Sequence, residues 1–212
     1  MARTDTIGIF PLEGALLLPH GRLPLNIFEP RYLALVEDCF ANGRMFGMIQ
    51  TNRKLSADAN GPALYKIGCL GRVTSFSEAD DGRFLITLLG IGRFAVEAEL
   101  EGRRGYRRVR ADLSRYAEDL DLPGGGSGFD RIELLAALRS YFRTRGFDAN
   151  WDAIEQMEDE ALVVTLAMVC PFEPAEKQAL LEADSPADRA QALLSLLRID
   201  AYDQGNDRQR AS

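Results

Sequence analysis

Histidine is almost missing from this 212-residue chain: His20 is the only one. Ser-His-Asp and Cys-His sites both need a base within reach of the nucleophile, so either would have to be built around that single residue. His20 stands between Pro19 and Gly21, which reads as an exposed turn with no third group to orient it. Lysine is nearly as scarce, with Lys54, Lys66 and Lys177 alone, and no serine stands in a nucleophile context beside one. Three widely separated cysteines, Cys39, Cys69 and Cys170, give neither a disulfide framework nor CxxC zinc spacing, which fits a reducing, cytoplasmic setting. Long hydrophobic runs are absent too. The longest, Leu162 to Cys170, is interrupted by Thr165 and falls far short of the roughly 20 residues a membrane span needs. The opening MARTDTIGIF is a poor secretory signal, since prolines soon break up its apolar run. The glycine run at 124–128 has no GK[ST] after it, so it reads as a linker and not a phosphate loop. No metal site and no cofactor are expected.

Hydrophobic residues make up 46% of the chain, enough for a sizeable core or two small ones. Charge favours two lobes. Residues 1–128 hold sixteen basic and sixteen acidic side chains, whereas 129–212 hold nine and sixteen, so the whole surplus of -7 lies in the second part.

Pro11, Pro19, Pro24 and Pro30 cut the first stretch into short apolar pieces, Ile7–Phe10, Leu16–Leu18 and Leu25–Phe28. Because proline offers no ladder donor, these read as short strands of a curved sheet or barrel wall. Pro30 then suits the first position of a helix that stops near Gly43, its apolar face being Tyr32, Leu33, Leu35, Val36, Cys39 and Phe40. Met45–Gln50 reads as a strand, and 51–62 as a polar loop that nothing in its composition orders. Cys69–Ser77 and Arg83–Leu89 flank the acidic turn Glu78–Gly82 as a hairpin. Gly90-Ile91-Gly92-Arg93 reads as a bulge or barrel corner before Phe94–Leu100, and Tyr106–Leu113 as the last strand. After the linker at 123–128 the period changes to 3.6. Helices are expected at Asp130–Arg145, Ala161–Cys170, Pro174–Ala183 and Ser185–Ile199, with a short turn at Trp151–Met157 and a disordered tail over 201–212.

Carboxylate groups at Asp80-Asp81 and Glu158–Glu160 fit a turn and a helix start better than a metal or acid-base site. The basic cluster is more suggestive. Arg103, Arg104, Arg107, Arg108, Arg110 and Arg115 against Glu101 and Asp112 leave a local +4, and with Tyr106 among them they form a candidate nucleic-acid patch.

The stretch FPLEGALLLPHGRLPLNIFEPRYLALVED resembles the start of the Lon protease N-terminal, or substrate-binding, domain. IGCLGRVTSF, DGRFLITLLGIGRF and YRRVRADL are similar to that family's following strands, in order, so the likeness covers about the first 115 residues. It implies an α+β fold: a PUA-like β-barrel lobe with one packed helix over 1–122, followed by a helical bundle over 129–200. The bundle half also looks similar to that of short stand-alone members. The FEPRY motif falls on Phe28, Glu29, Pro30, Arg31 and Tyr32, and GxxRF on Gly90, Arg93 and Phe94. Phe28 and Tyr32 are expected to fill core, and Arg31 or Arg93 to pair with Glu29.

No Walker motif and no Ser-Lys protease segment are present, so proteolysis is not carried over. What the resemblance implies is a non-catalytic module binding unfolded or tagged polypeptide in protein quality control, with a separate protease as a further partner. Phe28, Glu29, Arg31 and Arg93 are its candidate substrate contacts. The alternative is RNA or DNA binding through Arg103, Arg104, Tyr106, Arg107, Arg108 and Arg110. An acid-base pocket of Glu29, Arg31 and His20 is a third reading.

Overall fold

Proline and glycine decide where the first elements stop. In the computed structural model, which describes residues 4–121 and 128–210 (backbone alone for Thr4 and 201–210), β1 (Thr4–Pro11) ends on a proline. β2 (Arg22–Ile27) is followed by α1 (Pro30–Phe40), with Pro30 in the first turn, where its missing N–H costs nothing. β3 (Met45–Ile49), β4 (Ile67–Glu78), β5 (Phe84–Arg103) and β6 (Tyr106–Asp112) complete the strands. One 3-10 turn, Ala117–Leu120, follows. The chain divides into two compact units between Leu122 and Pro123.

Strand order is β2-β5-β4-β3-β1-β6, and β6 pairs again with β5. The 20-residue β5 makes this closure possible. Its first half pairs with β2 (Ile27↔Phe84 to Arg22↔Leu89) and its second half with β6 (Ala95↔Asp112 to Arg103↔Tyr106). The ring is thus a barrel with β2 as a side extension. Ile9, Ile49, Leu70, Phe94, Val109 and Ala111 form a buried core cluster with Ile7, Met45 and Val96 packed against it.

The bulge stands at the expected glycines. Leu70 pairs with Gly92 and Gly71 with Gly90, so Ile91 is the extra residue. At Gly90 a Cβ would lie 1.9 Å from the Leu18 carbonyl oxygen, so only glycine fits that approach. This contact also corrects the expected strand at Leu16–Leu18. Those residues are buried but belong to no strand; His20 N–H donates to the Gly90 carbonyl and Gly90 N–H to that of Gly21, so the loop is pinned to the bulge. The 51–62 loop is ordered by main-chain bridges at Thr51↔Leu64 and Asp58↔Gly61.

α1 packs on β1, β3 and β6, with Tyr32 stacked on Phe10 at 3.9 Å. Its buried face differs from the expected one in three places, the first being Leu33, which is only half-buried. Ala34 is buried, whereas Phe40 is 36% exposed and meets Phe76 of β4 edge-on at 5.1 Å.

In the second unit, Asp130 accepts from the Glu133 N–H to cap α2 (Arg131–Arg145), and Gly146 at φ 70° ends it. α3 (Trp151–Glu155), α4 (Asp159–Val169) and α5 (Pro174–Glu182) follow, and α2, α4 and α5 all contact α6 (Pro186–Arg210). The backbone of α6 continues past the expected end at Ile199, since residues 199–204 include neither proline nor glycine. Most of the glycine-rich linker and the last two residues lie outside the described residues. No described helix is long and apolar enough to cross a membrane.

Candidate functional site

The β2–α1 junction brings Phe28, Glu29 and Arg31 together at the surface. Phe28 is 64% exposed, which corrects its expected place in the core; Tyr32, at 5%, is buried. The Arg31 Nε donates to Glu29 at 2.9 Å, and the guanidinium lies 4.5 Å from the centroid of the Tyr32 ring. His20 is exposed in a left-handed turn at φ 63°. The chemistry of this junction is that of an ion pair beside a free aromatic ring.

Arg93 is not part of it. Its side chain is 1% exposed, and its partner is Asp119, not Glu29. One carboxylate accepts from the Arg93 backbone N–H, Nε and Nη2, all at 2.8 Å. The guanidinium also lies 4.3 Å from the Tyr116 ring centroid. Burial alone would lower the Arg93 pKa, but the hydrogen bonds it donates to Asp119 prevail and raise it. The charge pair therefore fastens the 3-10 turn to β5.

Most of the arginine strand is already paired. Arg104 reaches Glu37 at 2.6 Å and Asp38 at 2.9 Å, Arg103 reaches Asp38 at 3.1 Å, Arg107 reaches Glu99 at 2.6 Å and Arg110 reaches Glu97 at 3.4 Å. Arg108 instead donates to the Glu101 carbonyl. The Tyr106 hydroxyl donates to Asp38 at 2.8 Å. Burial, then this bond, pushes its pKa up to about 12, and the same bond is the first cause that holds the Asp38 carboxyl below its usual range.

A cleft of about 690 Å³ unites residues that the sequence assigned to different sites. Arg93 from one set and Arg103, Tyr106 and Arg108 from the other all line it. It is bordered by Asp5–Gly8 of β1 and Met45 of β3, which are not paired with each other because the β1–β3 ladder begins only at Ile9↔Gly47. Leu35 and Asp38 of α1 form one wall, and Leu113, Tyr116 and Leu120 another. Its volume lies in the range of small-molecule and peptide-side-chain pockets, with an apolar lining and charged groups between. Leu120, 64% exposed, offers a large apolar surface. Sequence reasoning missed Leu113, Tyr116 and Leu120; the one available signal was an apolar residue in an otherwise acidic run, Glu118-Asp119-Leu120-Asp121.

Residues 6–198 match the family described as the ATP-dependent protease La (LON) substrate-binding domain. Among curated proteins, Lon protease 2 of Sorangium cellulosum is 28% identical over 204 residues, 91% of this chain and 24% of that one. Lon protease 2 of Myxococcus xanthus is 24% identical over a similar share. The chain thus spans about a quarter of the length of these relatives. Among solved structures, a Lon N-terminal domain protein from Xanthomonas campestris is similar with a TM-score of 0.60 at 25% identity, over 90% of this chain and 98% of that one. The N-terminal domain of a Mycobacterium avium complex Lon protease has the same fold at 14% identity, with a TM-score of 0.57 over 91% of this chain and 98% of that one.

Proposed function

Because the chain belongs to the Lon substrate-binding domain family, we propose that it is a recognition module for unfolded or tagged polypeptide, acting in protein quality control without chemistry of its own. The observation that carries this is the cleft between β1, β3 and α1: large enough for several side chains, apolar within and charged at its rim. Phe28 and the Arg31–Glu29 pair form a second exposed surface on the same unit that a bound chain can contact. A separate protease would be the natural recipient of what is bound. The test is retention of a reduced, alkylated, permanently unfolded protein on the immobilised chain. Leu120→Glu and Ile91→Glu place charge in the cleft and are expected to weaken retention on the order of tenfold, since each sets an unpaired charge against apolar ligand surface. Retention unchanged by both substitutions refutes the assignment to the cleft.

Nucleic-acid binding along 103–115 is the weaker alternative, because Arg103, Arg104, Arg107 and Arg110 already hold carboxylates. Absence of binding at low salt, where backbone contacts are strongest, would eliminate it.

A further inference from the structure

The ladder between β1 and β3 stops early. It covers Ile9–Pro11 against Gly47–Ile49, whereas β1 pairs with β6 from Thr4 to Ile9. Main-chain direction alternates along a strand, and the Leu12 N–H donates to the Ile49 carbonyl at 3.0 Å. Phe10, Gly8 and Thr6 share that orientation. Before Ile9, therefore, the Thr6 N–H and C=O and the Gly8 N–H face the edge where β3 no longer pairs, and that edge borders the cleft. Thr6 is exposed and Gly8 half-buried, with Leu35 and Tyr106 filling the space that a side chain at Gly8 would take. Charge adds a second constraint. Arg72 and Arg108 line the cleft with no carboxylate partner among the described residues, while the Asp38 carboxylate opposite is taken by Arg103 and Arg104.

We propose that the cleft binds an extended acidic peptide segment as an added strand on the open edge of β1. The ligand main chain pairs with Thr6 and Gly8, its apolar side chains enter beside Leu35 and Leu120, and its carboxylates meet Arg72 and Arg108. Asp5–Gly8 offers about 13 Å of edge, enough for about four residues of extended chain. This proposal rests on the polypeptide-binding function above and specifies the ligand and its mode.

The test is fluorescence anisotropy with the full chain and dye-labelled hexapeptides. One alternates leucine and glutamate, one alternates leucine and lysine, and two are leucine-glutamate peptides N-methylated at one or the other alternate set of residues. The leucine-glutamate peptide is expected to bind on the order of tenfold tighter than its lysine counterpart, and Arg72→Glu with Arg108→Glu to reverse that preference. One N-methylated peptide should lose about tenfold and the other stay near the parent, since only one edge of an added strand faces β1. If both N-methylated peptides bind like the parent while Leu120→Glu still weakens binding, strand addition is wrong and the polypeptide-binding function survives. Equal binding of the lysine and glutamate peptides overturns the acidic preference in the same way. If no peptide binds and the unfolded protein is not retained either, both fall together.

Discussion

Removing the Asp119 carboxylate leaves the Arg93 guanidinium, 1% exposed, without its counter-ion and without the acceptor for two of its N–H groups. Breaking a buried pair from one side costs about 3–5 kcal/mol, because the remaining charge stays out of water. Asp119→Ala should therefore lose that much, or about 10–20 °C in Tm for a unit of this size. Asp119→Asn keeps the shape and one acceptor, so about half the loss is expected. The informative variant is the double one. Arg93→Met with Asp119→Leu removes both charges at similar volume, and its remaining cost is the Arg93 backbone N–H left without an acceptor, about 1–2 kcal/mol. Urea denaturation followed by circular dichroism closes the cycle, and fluorescence of Trp151, the sole tryptophan, reports separately on the second unit. The reasoning is refuted if Asp119→Ala costs less than about 1 kcal/mol, or if the double variant costs the sum of the singles.

Two further outcomes follow from Tyr141 and Asp38. Tyr141 is 0% exposed and its hydroxyl has no hydrogen-bond partner among the described residues, so Tyr141→Phe should leave the urea midpoint unchanged or raise stability by up to about 1 kcal/mol; a clear loss would reveal a partner for the hydroxyl. Asp38 has a folded pKa below its unfolded one, so its contribution is fully present above the usual carboxylate range of about 4 and is lost as pH falls through the folded value. Asp38→Asn should accordingly destabilise at neutral pH and converge on the wild type as pH falls below the usual carboxylate range, as read from urea midpoints; a gap that stays constant with pH excludes this linkage.

What could be read from sequence was whatever depended on neighbours along the chain. Pro30 at a helix start, Asp130 with Glu133, Gly146 as a stop and the glycines flanking Ile91 each act within a few residues, and each stands where expected. Leu16–Leu18 was misread because burial there comes from a loop pinned to Gly90, more than seventy residues away, and not from a ladder. Arg93 was grouped with Glu29 because its true partner, 26 residues on, carries no local pattern. The cleft was invisible for a similar reason. It arises where pairing between two strands ends, and neither strand's composition records the end of a ladder.

The closure of the barrel by β5 and β6 also sets an order of events during synthesis. β1 emerges first, yet its antiparallel partner β6 is made roughly a hundred residues later, and β2 likewise waits for β5. Until the segment around Tyr106–Asp112 is available, the first strand has only the packing of α1 and the three-residue contact with β3 to hold it. Assembly of this unit is therefore expected to be slow and to finish all at once, with the ring closing only when its last strand is complete.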